Sequence, residues 1–420
     1  MVQEVAAGKK VFFYCGEYLL HFWTMVIGAD FSRLPYSKLD LASNHWKAYL
    51  DFHHALQEFI RRREEGEPTS NFGLTMSSLL LAPAMLLDAT RPEDKIYSLY
   101  GICKRLGFTL PTPDYRKPLA VVFTEAARAI LHHDNNLDFL SSVEGSSGSS
   151  FGLPSWVPDF SGSMRQWSPS KPPHMTSVLR ENANVSGNSR CSYKFQPDGR
   201  GLKIRGRRVD RICAVGEPWR IDNSTNLLGG SWRQTGQYAG GLVDCISSWF
   251  DVIQSRTESG DEKAIIQDMM RVLTGGSSSG KLPVQPAEEV TRYLSVLVEC
   301  SRANHTARRA FLVHPNDHAS EVLQVGDYFM SDGMRKTIHQ LWGTLWKTVF
   351  RTTRDNLGTG SHSAKLGDHV VIFHGCKSPS IIRSCPGGYS YVSTACVDGI
   401  MEGEFWNAGH DVDDEWFVLV

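Results

Sequence analysis

Residues 89–107 read ATRPEDKIYSLYGICKRLG, and this stretch carries the start, the apolar face and the end of one helix. An N-cap, a first-turn proline and a capping-box glutamate are predicted at Thr90, Pro92 and Glu93. Apolar side chains then recur at helical spacing at Ile96, Leu99, Tyr100 and Cys103. Gly107 follows them at the position of a C-cap. The sequence therefore predicts a well-delimited helix that buries one face.

Further helices are predicted on both sides of this stretch. Upstream, residues 39–63 have the pattern of a helix. Downstream, residues 137–143 are predicted as a strand, and a second amphipathic helix before them places one apolar face at Leu119, Val122, Phe123, Ala126 and Ile130. In the second half of the chain, helices are expected near residues 242–255, 262–273 and 287–300.

Strand patterns occupy the remainder of the second half. Residues 201–206 alternate apolar and polar side chains, which is typical of a half-buried strand, and 209–215 are expected to continue it as a hairpin or bent partner. The N-terminal run at 11–15 also reads as a strand. Further short strands are predicted at residues 310–313, 370–373, 380–383 and 389–394, with a tight turn at Pro386, Gly387 and Gly388.

These patterns predict an α+β fold. A helical N-terminal part is followed by a mixed region that ends in a small antiparallel β unit. We expect three parts: residues 1–143, mostly helical; residues 144–200, an extended segment and linker; and residues 201–420, the mixed α+β region with the C-terminal β unit.

The charge balance points away from a polyanionic partner. Among 420 residues there are 44 lysines and arginines and 45 aspartates and glutamates, a net charge of -1. Such a chain has no general attraction for nucleic acid or for an anionic membrane surface. We therefore expect no nucleic-acid partner. The expected partners are proteins that the sequence does not identify, including a second copy of the chain.

Cysteine usage and hydropathy indicate the compartment. The nine cysteines are scattered and never spaced CxxC, which argues against a disulfide framework and a zinc ribbon. No stretch approaches the roughly 20 apolar residues of a transmembrane helix. The N-terminus has no signal-peptide layout. These features predict a cytoplasmic protein without a transmembrane segment. The chain opens on an apolar run, and domains more often begin with a polar lead-in, so it is expected to start inside a domain.

Four segments, in order along the chain, resemble blocks of the fungal heterokaryon incompatibility (HET) family. Residues 2–6 (VQEVA) resemble its W-x-x-Q-E-V block without the tryptophan, and residues 89–101 resemble A-T-D-P-R-D-K-V-Y-A-L-L-G. Residues 153–159 (LPSWVPD) resemble L-P-S-W-V-P-D-W, and residues 367–404 resemble the spaced pattern G-D-x-V…G…P…L-R…Y…G-I-M-x-G-E. The candidate site residues of these blocks are Gln3, Glu4, Asp94, Lys95, Tyr97, Trp156, Pro158, Asp159, Gly367, Asp368, Arg383, Gly399, Met401, Gly403 and Glu404.

The resemblance implies a role in fungal allorecognition, heterokaryon incompatibility and programmed cell death, exerted by protein–protein recognition. Residues 1–143 would then be the C-terminal portion of a HET domain, because the family's opening blocks have no counterpart here. Two alternatives stay open: an accessory or regulatory binding protein that has lost the effector core, and a nucleotide-cleaving enzyme. The missing opening part is the one likened to Toll/interleukin-receptor-type domains, so a role other than catalysis is favoured.

The residues themselves give no complete catalytic or metal-binding set. Asp94 and Lys95 fit a capping network at a helix start, and Gln3 and Glu4 fit a buried polar pair. An acidic cluster near the end lacks the spacing of a calcium loop, although it contains Asp398, Glu402 and Glu404. The adjacent histidines at 53–54 and 132–133 are not accompanied by H-E-x-x-H or C-x-x-C. We therefore expect no cofactor and no metal, and the catalytic residues, if any, are unknown.

Overall fold

The computed structural model describes residues 12–21, 24, 57–58, 60–62, 65–66, 75–86, 89–143, 151–161, 183–220, 232–255, 261–273, 287–302, 322–325, 328–344, 346–407 and 413–420. Within them the protein has the predicted α+β fold, with helices in the N-terminal part and a β-rich C-terminal region. The strand predicted at 310–313, most of the helix predicted at 39–63 and the pair Gln3 and Glu4 lie outside the described residues.

The N-terminal part is mainly helical. Its elements are the hairpin of β1 (Phe12–Cys15) and β2 (Tyr18–His21), then α1 (Met76–Leu86), α2 (Asp94–Tyr97), α3 (Tyr100–Arg105), α4 (Leu119–Asp134) and a 3-10 helix at Asp138–Ser142. The strand predicted at 11–15 is thus confirmed. α4 forms because apolar residues recur every three or four positions, and four of the predicted inward side chains are buried, namely Val122, Phe123, Ala126 and Ile130. The predicted C-cap is also confirmed, because Gly107 has a φ of 83° and Phe108 donates its N–H to the Cys103 carbonyl at 2.9 Å.

Three local predictions in this part are wrong. The single helix predicted over residues 89–107 is divided into α2 and α3, because Ser98 ends α2 and the Leu99 N–H bonds to the Ile96 carbonyl, only three residues back. Thr90 is not the N-cap of a helix, because α2 starts at Asp94 and its N-cap residue is Glu93, which makes no side-chain capping bond. The first amides of α2, those of Asp94 and Lys95, donate to the backbone carbonyls of Arg91 and Pro92. Residues 137–143 do not form a strand but the 3-10 helix. The physical reason is local, since the Asn136 side chain accepts a hydrogen bond from the Asp138 N–H at 3.0 Å and turns the chain.

A second group of helices occurs, in sequence order, between the early and the late strands of the C-terminal region. It consists of α5 (Trp232–Gln254), α6 (Glu262–Leu273), α7 (Ala287–Arg302), α8 (Asp332–Gln340) and a 3-10 helix at Leu341–Thr344, with a hairpin of β5 (Val322–Val325) and β6 (Tyr328–Ser331). The three predicted helices are confirmed, and the first begins earlier than expected. The group packs around buried side chains such as Trp249, Met269 and Leu294, and against the strand residues Val349 and Leu357.

Within the described residues, the large sheet has nine strands. They are β3 (Tyr193–Phe195), β4 (Leu202–Val215), β7 (Lys347–Thr352), β8 (Leu357–Ser361), β9 (His369–Phe373), β10 (Ser380–Cys385), β11 (Gly388–Thr394), β12 (Cys396–Val397) and β13 (Glu415–Leu419), with the short helix α9 (Glu404–Asn407) before the last. The strands predicted at 370–373, 380–383 and 389–394 are confirmed, as is the tight turn, since Cys385 pairs with Gly388.

Strand β4 closes this sheet into a ring. Its residues 202–206 pair with β13, residues 206–211 pair with β9, and residues 212–215 pair with β7. Because β9, β10, β11 and β13 also pair in succession, the hydrogen bonding runs from β4 around the ring and back to β4. Gly206 is the seam, since it pairs with both Glu415 and Phe373. A closed ring leaves its strands without free edges.

The N-terminal helices pack on one face of this ring. One hydrophobic cluster contains Phe123 of α4, Trp156 of the extended segment, Ile204 of β4 and Tyr391 of β11. The division of the chain at residues 143 and 200 stays a prediction. In the part of the chain that the structure describes, no helix is both long and apolar enough to cross a membrane.

Candidate functional site

The family block at residues 89–101 includes the start of α2 and makes a surface cluster. The Tyr115 hydroxyl donates to Asp94 Oδ1 at 2.6 Å, and the Arg91 guanidinium stands 4.5 Å from the centre of the Tyr115 ring. The hydrogen bond to Asp94 raises the pKa of Tyr115, because losing the phenolic proton would place a second negative charge beside the carboxylate. The cluster therefore ties the loop before α4 to α2.

Two residues of the same block point inward. Lys95 is buried and its Nζ donates to the Ala84 carbonyl at the end of α1, at 3.0 Å. Tyr97 is buried as well, and its hydroxyl lies 3.2 Å from both the backbone nitrogen and the backbone oxygen of Asp114. The block thus joins α1, α2 and the turn before α4, since Asp94 and Lys95 bond to Tyr115 and to Ala84, which lie outside α2. The capping network expected of Asp94 and Lys95 stays a prediction.

A carboxylate that the sequence analysis missed completes this layer. Asp134, the last residue of α4, accepts hydrogen bonds from the backbone N–H groups of Met76 (2.7 Å) and Ser77 (2.9 Å) at the start of α1. Burial raises the pKa of Asp134, against the opposing effect of these bonds. Residue Asp134 therefore caps a helix that is distant in sequence, and no local pattern could have revealed it.

The family block at residues 153–159 fastens the helical layer to the ring. Trp156 is fully buried and its Nε1 donates to the Arg200 carbonyl at 2.8 Å. Ser155 donates its N–H to the Val420 carbonyl and accepts the N–H of Tyr391, both at 2.9 Å. Pro158, two residues after Trp156, is also buried. Asp159 Oδ1 accepts the Ser161 N–H at 2.9 Å, and this bond turns the chain.

The family block at residues 367–404 contains an ion pair whose carboxylate is buried. Arg383 of β10 donates from Nε to Asp368 Oδ1 at 2.8 Å and from Nη2 to Asp368 Oδ2 at 2.9 Å. Arg383 also donates to the Ser363 carbonyl at 2.7 Å, and Asp368 accepts the Lys365 N–H at 2.8 Å. Gly367 precedes it with a φ of 87°, a conformation that favours glycine. The G-D…R pattern therefore fixes the loop before β9 against β10.

The end of this same block, residues 399–404, forms turns after β12. Gly399 and Gly403 have φ values of 78° and 92°, and Met401 is buried with its sulfur 3.4 Å from the Val397 nitrogen. Glu404 Oε2 accepts the N–H of Glu402 at 2.8 Å. The G-I-M-x-G-E pattern thus encodes a pair of glycine turns, and its glutamate serves the backbone.

The remaining chemical candidates are dispersed. Among the residues described, no group of three or more histidine, cysteine or acidic side chains could hold a metal ion. Asp398 lies 3.4 Å from Arg271, whereas Glu404 binds backbone. His133 lies against the backbone of Thr109 at 3.0 Å. Among the described residues, the structure brings together members of the blocks at 89–101, 153–159 and 367–404, but it does not gather these three blocks into one catalytic centre.

One surface that the sequence analysis did not single out combines cations with aromatic rings. We call it the basic face and define it by Lys194 of β3, Lys203 and Arg205 of β4, and Trp416 of β13. It lies on the side of the sheet opposite to the buried residues Leu202, Ile204, Phe417 and Leu419, because neighbouring residues of a strand point to opposite sides. The signal in the sequence was the alternation at 201–206, whose polar members are all basic.

Beside the basic face, the carboxylate of Asp414 forms ion pairs with nearby cations. Asp414 Oδ1 accepts from Arg207 Nε at 2.8 Å, and Asp414 Oδ2 lies 3.0 Å from His374 Nε2 and 3.1 Å from Arg205 Nη2. The His374 ring meets the Trp406 ring edge to face at 4.8 Å. Burial alone would raise the pKa of Asp414, but the hydrogen bond from Arg207 and the neighbouring His374 lower it. Burial and the nearby arginines lower the pKa of His374, despite Asp414.

Comparison with known proteins finds one family model and one curated relative that match the chain. Residues 297–419 match the family described as the Het-6 beta-barrel domain. The chain is also similar to heterokaryon incompatibility protein 6, OR allele, of Neurospora crassa, with 23% identity over 373 residues that cover 79% of this chain and 51% of that protein. The chain therefore spans about half the length of this curated relative. No solved structure matches the chain. The resemblance to fungal HET proteins is thereby confirmed.

Proposed function

We propose that this HET-type protein acts in fungal non-self recognition and programmed cell death, and that the β ring and its helical layer act by binding a protein partner. Similarity to a heterokaryon incompatibility protein supports a role in incompatibility. The steps from recognition to cell death, and the cytoplasm as the place where they occur, belong to the proposal. The observation that supports the binding role is that the described side chains of the family blocks bond to other parts of the same protein.

These bonds within the protein favour a structural role of the family blocks over a catalytic one. Asp368 is 2% exposed and is paired with Arg383, and Trp156 is fully buried with its indole N–H bonded. Lys95 is buried against the end of α1. General acid–base catalysis needs two positioned groups that reach a substrate, whereas these groups reach the protein's own backbone and each other. The blocks therefore preserve a rigid shape whose surface is free to make contacts.

The test is a viability assay with matched variants. The natural gene would be placed under an inducible promoter in fungal strains of differing incompatibility background, and growth after induction would be measured. We expect growth arrest in particular strain pairings with the unaltered protein. Arg383→Met should abolish the arrest because it breaks the ion pair of the ring. Lys104→Gln, at an exposed helix position, should retain it.

Two results would count against the proposal. Full viability in every pairing, with the protein present on an immunoblot, would contradict the cell-death role. A stable complex with a partner in those viable cells would then favour the accessory binding protein. Growth arrest that persists with Arg383→Met, with the ring shown to be disrupted, would contradict the role of the ring as the binding element.

A further inference from the structure

We infer that the basic face is a docking surface for an acidic segment of a partner protein. The inference rests on the proposed binding function and names the chemistry of the partner. It follows from two lysines, an arginine and an exposed tryptophan that the strand register brings together.

The register places the two lysines side by side. Lys194 of β3 pairs directly with Lys203 of β4, and Lys203 pairs on its other side with Val418 of β13. Trp416 pairs with Arg205, one step along the same side of the sheet. The ammonium groups of Lys194 and Lys203 lie 5.4 Å and 5.3 Å from the centre of the Trp416 ring. The Trp416 ring therefore makes cation–π contacts with both lysines.

This arrangement leaves positive charge uncompensated. Like charges directly opposite each other on neighbouring strands destabilise a sheet. In the part of the chain that the structure describes, neither Lys194 nor Lys203 has a carboxylate within ion-pair distance. Neighbouring cations differ, since Arg205 and Arg207 share Asp414 and Arg208 pairs with Glu415 at 3.0 Å. An incoming anion would relieve the repulsion between the two lysines.

The exposed tryptophan indicates a protein partner. Trp416 is 37% exposed, although the next residue of the same strand, Phe417, is fully buried. Tryptophan flanked by basic side chains is the kind of anchor that carries much of the energy of protein interfaces. A partner segment that carries carboxylates beside an apolar side chain would meet both the ammonium groups and the ring.

Size and net charge favour this partner over nucleic acid. The three strands span about 10 Å, because adjacent strands are about 4.8 Å apart. That width suits a few carboxylates of one extended chain, whereas specific nucleic-acid binding uses a long basic stripe. The chain as a whole has a net charge of -1, and Asp414 and Glu415 border the basic face. These features would repel a long polyanion while admitting a short acidic segment.

A binding experiment with the full chain tests the inference directly. The probe is a fluorescein-labelled oligoglutamate peptide that contains one leucine, and the measurement is fluorescence anisotropy at low and high salt. We expect saturable binding that weakens as salt screens the charges. The double variant K194Q/K203Q should weaken the affinity about tenfold. The control K104Q/K263Q loses the same charge at exposed positions elsewhere and should bind as the unaltered chain does.

A second variant tests the tryptophan without removing a charge. Trp416→Ala should weaken binding of the leucine-containing probe more than binding of a purely glutamate probe. Circular dichroism of each variant checks that the fold is kept, and Trp416→Phe provides a conservative replacement that should retain most of the affinity.

Three outcomes would overturn the inference. They are no binding by the unaltered chain, equal binding by K194Q/K203Q and K104Q/K263Q, and displacement of the probe by single-stranded RNA at lower concentration than by unlabelled peptide. Each of these leaves the viability assay untouched. Failure of the docking surface is therefore distinguishable from failure of the proposed role in incompatibility.

Discussion

Arg383 holds the nearly inaccessible carboxylate of Asp368 with two hydrogen bonds, of 2.8 Å and 2.9 Å, across the gap between β10 and the loop before β9. A buried carboxylate without its partner is costly, because removing an ion from water costs several kcal/mol. The pair thus fixes the loop before β9 against β10.

Breaking this pair should destabilise the protein strongly. Arg383→Met leaves Asp368 charged and buried, and we expect a loss of about 3 kcal/mol in the free energy of unfolding, measured with urea. The double variant D368N/R383M should recover part of that loss, because it removes the stranded charge. A double variant that is less stable than R383M would show that the carboxylate needs no counterion.

Removing the cap on α1 should have a smaller effect. Asp134→Ala deletes the acceptor for the Met76 and Ser77 amides, and we expect a loss of about 1 kcal/mol, with fraying of α1 seen by hydrogen exchange. The exposed neighbour His132 supplies the control, since His132→Ala should leave exchange in α1 unchanged. Unchanged exchange in Asp134→Ala would contradict the capping role.

The same residue predicts a pH dependence. Because the folded-state pKa of Asp134 is raised, the folded protein binds more protons than the unfolded chain as the pH increases from about 4. The contribution of Asp134 is therefore complete below its ordinary pKa and declines as the pH rises through the folded-state value. The free energy of unfolding of the natural protein minus that of D134N should fall over this interval. An increase would contradict the raised pKa.

The seam of the ring should not tolerate a side chain. A Cβ at Gly206 would lie 2.6 Å from the Ile372 carbonyl oxygen and 3.0 Å from the Phe373 ring. Because the oxygen is backbone, the strands would have to separate, and we expect Gly206→Ala to cost about 2 kcal/mol. Lys203→Ala, on the same strand but partly exposed, should lower the melting temperature far less. Equal losses of stability in the two variants would contradict the close approach of the strands at Gly206.

Trp156 should hold the helical layer to the ring. Trp156→Phe keeps most of the apolar volume but loses the bond to the Arg200 carbonyl, at a cost of about 1 kcal/mol. Trp156→Ala should cost about 4 kcal/mol and speed proteolysis between the helices and β3. The control is Trp416→Phe, at an exposed position, which should leave both readings near those of the natural protein.

Regular patterns in the sequence predicted much of the fold. The apolar spacing of α4 and the strands from 370 onward were visible because their periodicity follows directly from the geometry of a helix or a strand. β4 was expected as two pieces, since Gly206 and the run Arg207–Arg208 interrupt its alternation. In the structure it is one strand, whose partner changes from β13 to β9 to β7 along its length. Its register shifts between Arg208 and Asp210 and again between Ile212 and Ala214.

The candidate surface was beyond prediction for a different reason. Lys194, Lys203 and Trp416 come from three separate segments, and only the pairing of β3 and β13 with β4 makes them neighbours. The cap by Asp134 likewise joins residues that are 58 positions apart. Single-sequence patterns report local periodicity, whereas both features are created by tertiary contacts.

Strand β4 also decides how the protein can be cut for study. The region that matches the Het-6 beta-barrel domain begins at residue 297, but β4 ends at Val215, well before it. A fragment trimmed to that match would keep β7, β9 and β13 while losing the strand that pairs with all three, and their exposed edges would promote aggregation. A well-behaved fragment has to begin upstream of β3, with the intervening α5–α7 retained as part of the same folded unit.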